Sequence, residues 1–368
     1  MGIVSRVVVG AIEQAPPSFE PERCLNRRQT RHPCTLCHER CPAQAIPLNP
    51  VIEKIDWETC IRCGLCVSAC PARCFAPNVR QQQTMIAPEK SDRVAFSCMH
   101  AKESAGWRQV ECLCSLPWEW LAALAIRMPV LLYTGECSSC KLENCAEQLL
   151  ENLQLLRAFL GEERFDSRII LTDDTSELKT EKEQKAVDRR AFFGMLGSRA
   201  KTSVAAGVHS MLPAPKDDPL KDGFAYRKML AGMIRKDCVE RHKESKKENR
   251  PAQYPEYGVM LPDFGAKCHG CGVCTRVCPH KALSVEKETE KTSIISVEPM
   301  KCTGCGLCEA VCLHKGIEGM ALVSVHHLEN QGYVRVHHES CKKCGMAIAR
   351  DAEDGMCIAC AAKKRGRR

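Results

Sequence analysis

The residues in this chain that can do chemistry are its cysteines, and their spacing says which chemistry. Cys268, Cys271, Cys274 and Cys278 form a C-x2-C-x2-C-x3-C run, and Cys302, Cys305, Cys308 and Cys312 repeat it. Three thiolates on one tight loop can grip three irons of a cubane, because two intervening residues let successive side chains converge. The fourth cysteine sits where a helix starts and points away from its own loop. It therefore serves the neighbouring run, and the two runs must fold together. Gly272 and Gly306 let the backbone approach sulfide closely, where N–H groups can donate to sulfur. A structural zinc ion takes four ligands, so a doubled run of this kind reads as iron–sulfur ligation. Cys60, Cys63, Cys66 and Cys70 make a third complete run. A fourth, Cys34, Cys37 and Cys41, has Arg31 at its opening position, where no iron can be held; Cys24 is the nearest upstream thiol, and a longer loop lets it reach in.

On these motifs the stretch 268–312 resembles a bacterial two-cluster ferredoxin over about 50 residues. The resemblance implies that Cys268, Cys271, Cys274 and Cys312 hold one [4Fe–4S] cluster, and that Cys302, Cys305, Cys308 and Cys278 hold the other. Leu313 stands where that family has proline, which should loosen a turn without costing a ligand. For the N-terminal runs the same resemblance implies one cluster on Cys60, Cys63, Cys66 and Cys41, and another on Cys24, Cys34, Cys37 and Cys70. If Cys24 does not reach, a three-iron cluster or none is expected there. Cys74 reads as a packed core thiol. A two-cluster module at each end argues for a wire, since each cluster can accept one electron and pass it on. One cubane could be a structural clip, but four are hard to explain that way.

The elements that position these loops change character along the chain. Val7 to Val9 suggests a short strand, and Pro16 and Pro17 a loop. From about 90 to 175, strands at Arg93–Ser97, Arg108–Leu113, Val130–Thr134 and Arg168–Thr172 alternate with helices at Leu116–Met128 and Leu142–Leu160. That alternation predicts a small α/β layer with a largely parallel sheet, whose ligands gather beyond the carboxyl ends of the strands. Cysteines fall there: Cys98, Cys112, Cys114, Cys137 and Cys140, with Cys145 in the first turn of a helix that favours a thiolate. Either a redox or metal site or a set of buried, inert thiols fits. The surroundings Tyr133-Thr134-Gly135-Glu136-Cys137-x2-Cys140 are loosely similar to the delta subunit of methyl-viologen-reducing hydrogenase. That likeness implies a [2Fe–2S] cluster with Cys98, Cys112, Cys137 and Cys140 as its ligand candidates; the spare thiols also leave room for a thiol–disulfide step.

Residues 176–262 read as a charged helical linker, dense in charge at 175–190 and 240–250. Within it Asp188-Arg189-Arg190-Ala191-Phe192-Phe193-Gly194 resembles a twin-arginine export signal. Its position deep in the chain, and Arg199 and Lys201 beyond it, argue instead for an amphipathic helix that packs Phe192, Phe193 and Leu196. In the tail, Val323–Val325 and Tyr333–Val336 read as a hairpin. Cys341, Cys344, Cys357 and Cys360 form two C-x2-C knuckles 12 residues apart. Four thiolates at this spacing suit tetrahedral zinc, with rubredoxin-like iron as the competitor. His326, His327, His337 and His338 are expected as half-exposed strand residues, because four cysteines already fill a zinc shell.

Composition agrees with metal ligation in a reducing compartment. The 368 residues include 28 cysteines, in a chain far longer than secreted disulfide scaffolds, and only 5% aromatics. A formal charge of +8 is modest, and the basic end from Lys363 to Arg368 reads as solvated rather than as a nucleic-acid site. No apolar run is long enough to span a bilayer, and the first residues lack a signal-peptide profile, so a cytoplasmic location is expected. The fold class expected is a multidomain α+β chain. It comprises two-cluster modules at 1–85 and 263–318, an α/β cysteine-rich domain at 90–175, the linker, and a zinc-ribbon-like knuckle at 320–368. The function expected is relay of single electrons between redox partners, oxidoreductase or hydrogenase-type subunits, through four [4Fe–4S] clusters. The alternatives are a redox enzyme subunit acting through the middle cysteines and an iron–sulfur regulatory sensor. No Gly-rich dinucleotide loop, P-loop or acid–base constellation is evident, which assigns catalysis to a partner.

Overall fold

The computed structural model describes residues 16–29, 33–77, 92–101, 107–135, 137–140, 142, 145–173, 225–249, 251, 255–325, 332–348 and 352–365. The chain divides into two units. One comprises Met1–Pro21, Thr35–Arg157 and Glu162–Met233, the other Glu22–Cys34, Ala158–Gly161 and Ile234–Arg368. The strand expected at Val7–Val9 and the twin-arginine-like stretch with Phe192, Phe193 and Leu196 lie outside the described residues.

In the first unit β1 (Ser18–Phe19) pairs antiparallel with β2 (Phe75–Ala76), and the rings of Phe19 and Phe75 lie 4.9 Å apart. Between them, this unit carries two short helices, α1 (Leu36–Glu39) and α2 (Leu65–Ala69), while the intervening helix Leu25–Arg28 belongs to the second unit. A four-stranded sheet follows, built from β3 (Val94–Cys98), β4 (Arg108–Val110), β5 (Val130–Tyr133) and β6 (Ile169–Thr172) in the order β4-β3-β5-β6. Every pair in it is parallel. β5 reads Val-Leu-Leu-Tyr and is buried along its whole length, the unbroken apolar run that a strand covered on both faces requires. Three helices serve this sheet: α3 (Trp118–Ala125), α4 (Cys145–Leu160) and α5 (Glu162–Arg168). α3 is buried on all sides, with Trp120 edge-on to Phe96 at 5.1 Å. β4 stops at Val110 rather than Leu113, because the chain turns into a single 3-10 turn at Leu113–Ser115, closed by Ser115 Oγ donating to the Cys112 carbonyl at 2.7 Å.

The cysteine loops from Cys37 to Cys70 and the parallel sheet share this unit and its interior. Ser68 Oγ, on α2, donates to the Cys114 carbonyl at 2.5 Å. Arg40 pairs with Glu147 and, at 2.7 Å, with Glu151 on α4. Arg73 pairs with Glu119 on α3, which is fully buried and also faces Arg227 at 3.6 Å.

Part of the charged linker is one 23-residue helix, α6 (Ala225–Lys247). Beyond it the second unit is antiparallel. β7 (Tyr257–Phe264) leads into α7 (Val273–Val277), then the hairpin of β8 (Leu283–Lys287) and β9 (Thr292–Val297), then α8 (Leu307–Ala310) and β10 (Ile317–Val325). β10 returns to pair with β7. Residues of β9 alternate between half-buried and buried, as a strand with one covered face must. β11 (Gly332–His337) joins the free side of β9. The expected hairpin of 323–325 with 333–336 therefore does not form: both stretches are strands, but β10 is taken by β7 and β11 by β9. His338 also departs from expectation, since it is buried and its Nε2 lies 2.9 Å from Ser293 Oγ. The tail closes with β12 (Glu339–Ser340) paired to β13 (Ala347–Ile348) and α9 (Ile358–Arg365). Among the described residues no helix is long and apolar enough to cross a membrane.

Candidate metal centres

The cysteine loops of the second unit turn left-handed on both sides of their second cysteine. Gly270 and Gly272 flank Cys271 with φ of 71° and 72°, and Gly304 and Gly306 flank Cys305 with 69° and 70°. Such turns aim successive backbone N–H groups to one side, toward an electron-rich group. The same turn recurs around Cys63, at Arg62 (φ 61°) and Gly64 (φ 77°). Around Cys37 the chain is helical instead, so the run that lacks its opening cysteine is also built differently.

At the far end all four runs agree. The last cysteine of each accepts the backbone N–H of the residue four positions later. Ala45 donates to Cys41, Cys74 to Cys70 and Ala282 to Cys278, each at 3.3 Å, and Gly316 to Cys312 at 3.1 Å. In each case the residue before that donor is left-handed without being glycine: Gln44, Arg73, Lys281 and Lys315, with φ between 50° and 53°. No residue type announces this turn, and it could not be read from the sequence.

These loops bring last cysteines to partner loops. Cys278 lines one small hollow with Cys302, Cys305 and Cys308. Cys312 is close enough to Cys268 and Cys274 to act on their charge, as is Cys271. Cys274 in turn acts on Cys308, so the two groups are neighbours. In the first unit Cys41 lines a small hollow with Cys60, Cys63 and Cys66. Cys37 and Cys70 are buried there, and Cys37 acts on Cys66. Cys24 and Cys34 belong to the second unit. There the buried Asn26 holds Cys34 from both sides, accepting its N–H at 2.6 Å and donating to its carbonyl at 2.9 Å. Asn26 lies on the turn that Cys24 opens.

Burial raises these thiols. It pushes Cys63 up to about 11, Cys274 and Cys308 up to about 12, and Cys66, Cys268 and Cys305 upward as well. A buried thiolate is disfavoured unless a cation compensates it, and a thiophilic metal centre supplies that cation while displacing protons. All-thiol donor sets and left-handed turns that aim N–H groups at the sulfurs together fit cubane clusters.

Two further groups stand apart. In the tail the Sγ atoms of Cys341, Cys344, Cys357 and Cys360 all lie within 4.8 Å of one another. The Cys357 N–H donates to Cys341 Sγ at 3.2 Å, and that bond with the Lys343 N–H brings the Cys341 thiol down to about 6. At the carboxyl edge of the parallel sheet Cys112, Cys114 and Cys145 form a buried trio with the same closeness. The thiols of Cys112 and Cys114 donate to Cys145 and lower its pKa, and Cys112 and Cys145 together raise that of Cys114. Cys140 is hydrogen-bonded to Cys145 as well. Of the four residues singled out for this region, Cys112 is in the trio and Cys140 borders it. Cys98, half-buried, donates to the Glu111 carbonyl at 3.7 Å, and Cys137 is half-buried on the turn after β5. Cys114 and Cys145 were not among those four.

Comparison with known proteins falls on the loops just described. The family model described as a 4Fe-4S dicluster domain matches residues 267–316, and that described as a 4Fe-4S binding domain matches residues 53–75. Neither covers the middle sheet, and nothing in these matches supports the likeness to a hydrogenase delta subunit. Over 40 residues the chain is 42% identical to a protein of Methanosarcina acetivorans that is named as one component of an ion-translocating oxidoreductase complex. That stretch is 11% of this chain and 15% of the relative. Over 65 residues it is 35% identical to an uncharacterized ferredoxin of Methanocaldococcus jannaschii, 18% of this chain and 43% of that protein. The chain thus spans less than half the length of either relative that it matches, and it carries 4Fe–4S ferredoxin domains.

Proposed function

We propose that this chain carries single electrons between redox proteins, through two two-cluster modules. The observation that supports this best is the exchange of last cysteines: Cys278 lies with Cys302, Cys305 and Cys308, and Cys312 with Cys268, Cys271 and Cys274. In this reading each of those sets holds one [4Fe–4S] cluster, and Cys60, Cys63, Cys66 and Cys41 hold a third. For Cys24, Cys34, Cys37 and Cys70 a fourth cluster is proposed on the ferredoxin-like spacing of the sequence alone. Each cluster supplies one reversible electron. The protein's part is to hold the thiolates, exclude water and set potential by N–H donation to sulfur. Catalysis belongs to partners, of oxidoreductase or hydrogenase type, in a reducing compartment such as the cytoplasm. The tail quartet Cys341, Cys344, Cys357 and Cys360 binds structural zinc, since four thiolates on one ion leave no open position for chemistry.

A second reading makes the chain an enzyme subunit whose middle thiols react, through a [2Fe–2S] cluster or a disulfide. It is favoured by the gathering of thiols where parallel sheets bind their ligands. Anaerobic titration with dithionite separates the two. A relay with four cubanes takes up about four electrons per chain, and Cys137→Ser with Cys140→Ser leaves electron delivery to an acceptor protein intact. Uptake of fewer than about two electrons would end the relay reading. Loss of delivery in that variant would favour the second.

A further inference from the structure

Among the described residues, two groups place three or more ligand atoms of His, Cys, Asp or Glu within 4.8 Å of one another: the tail quartet and the trio Cys112, Cys114 and Cys145. We infer that the trio, with Cys140 as fourth ligand, binds one thiophilic divalent ion, zinc or ferrous iron, at the carboxyl edge of the parallel sheet.

Distance carries this. Thiolates on one tetrahedral ion at about 2.3 Å stand roughly 3.8 Å apart, within the 4.8 Å that bounds all three sulfurs. A cubane spreads its thiolates over separate irons, and the cysteines of the ferredoxin-type loops form no such tight group among the described residues. A [2Fe–2S] cluster puts two thiolates on each iron, so a third must stand off. A disulfide would join two sulfurs of the trio and leave the third alone. One ion uses all three.

The trio is held in place before any ion arrives. Cys112 and Cys114 bracket the 3-10 turn, and the Cys114 carbonyl accepts from Ser68 at 2.5 Å and from Asn152 at 3.4 Å. Cys145 is the first residue of the 16-residue α4, where the helix dipole favours a thiolate. Cys140, half-buried, comes in from the turn after β5 and hydrogen-bonds to Cys145. Ser68 lies on α2 between Cys66 and Cys70, so the site borders the N-terminal cluster loops. The second reading above then keeps its site but not its [2Fe–2S] cluster.

The test is metal and acid-labile sulfide per chain in the anaerobically purified full-length protein, compared with Cys112→Ser/Cys114→Ser. The double variant should lose one zinc or one iron with sulfide unchanged, whichever metal it is. Loss of no metal, or of two irons with two sulfides, overturns the proposal. If the double variant sheds cubane iron and sulfide as well, Cys140→Ser decides. Its single ion should pass to a chelator at least about tenfold faster than in the wild type, and an unchanged rate overturns the assignment. Failure of the electron relay would appear in sulfide and leave this result standing.

Discussion

A methyl group added at Gly316 would sit 2.7 Å from Cα of Cys268 and 2.9 Å from its amide nitrogen. Both atoms are backbone, so no side-chain rotation relieves the overlap. Ordinary contact begins at 3.4 Å, so Cys268 must retreat by about 0.7 Å, more than the roughly 0.5 Å that a ligand set tolerates. Gly316 also donates to Cys312 Sγ, so Gly316→Ala disturbs two of the four sulfurs assigned to one cluster. Overpacking of this kind costs about 1–3 kcal/mol, concentrated here on the cluster site. The assay is iron and sulfide after anaerobic isolation, repeated after timed exposure to air. Gly316→Ala should lose about four irons with matching sulfide. Gly332→Ala is the control, because its added Cβ meets nothing within 4 Å. If the two variants keep the same iron and lose it at the same rate, the close approach of Gly316 to Cys268 does not shape the site.

Other outcomes follow from single contacts. Cys278→Ser should remove the cluster assigned to Cys302, Cys305 and Cys308 and spare the one assigned to Cys268, Cys271 and Cys274; paramagnetic spectra of the reduced protein that lose the latter instead would refute the exchange. Arg73→Met removes the nearer of two cations from the buried carboxylate of Glu119 and leaves Arg227 at 3.6 Å. It should cost about 1.5–3 kcal/mol in urea unfolding, and a cost below about 1 would show the pair to be dispensable. Asp56 braces the approach to Cys60, accepting from Thr59 Oγ at 2.6 Å and from the N–H groups of Thr59 and Glu58, and these bonds lower its pKa from 3.8. Because the folded value is depressed, its contribution is complete above 3.8 and fades as pH falls through the folded value. The stability gap between wild type and Asp56→Ala should therefore close on acidification below that point, and a gap independent of pH would refute the bracing.

The cysteine spacing exposed the loops because the chemistry demands it: convergence on a cubane leaves little freedom in C-x2-C-x2-C. Parallel strands were legible too, since Val130 to Tyr133 must be apolar throughout when both faces are covered. Strand partners were not. Val323–Val325 and Tyr333–Val336 read as strands, but only tertiary placement gives β10 to β7 and β11 to β9. The left-handed turns at Gln44, Arg73, Lys281 and Lys315 carry no glycine, so nothing in residue type marks them. Place at strand ends already brings Cys112 and Cys114 to this sheet edge, with Cys145 in the first turn of the next helix, whereas the set Cys98, Cys112, Cys137 and Cys140 follows only from the likeness to the hydrogenase subunit. Which thiols close into a trio is decided where the 3-10 turn after β4 meets the start of α4, a meeting of distant segments that local pattern does not encode. Asn26 hid for the same reason: a buried asparagine that grips Cys34 looks in sequence like any loop asparagine.

In the proposed relay, interlocked thiolate loops make each terminal module a two-cluster unit. Iron and acid-labile sulfide, counted per chain in protein isolated without oxygen, test that most directly. The account predicts about sixteen sulfides, with about sixteen irons in cubanes. Fewer than about eight irons, or a colourless protein with no paramagnetic signal after dithionite, would contradict it.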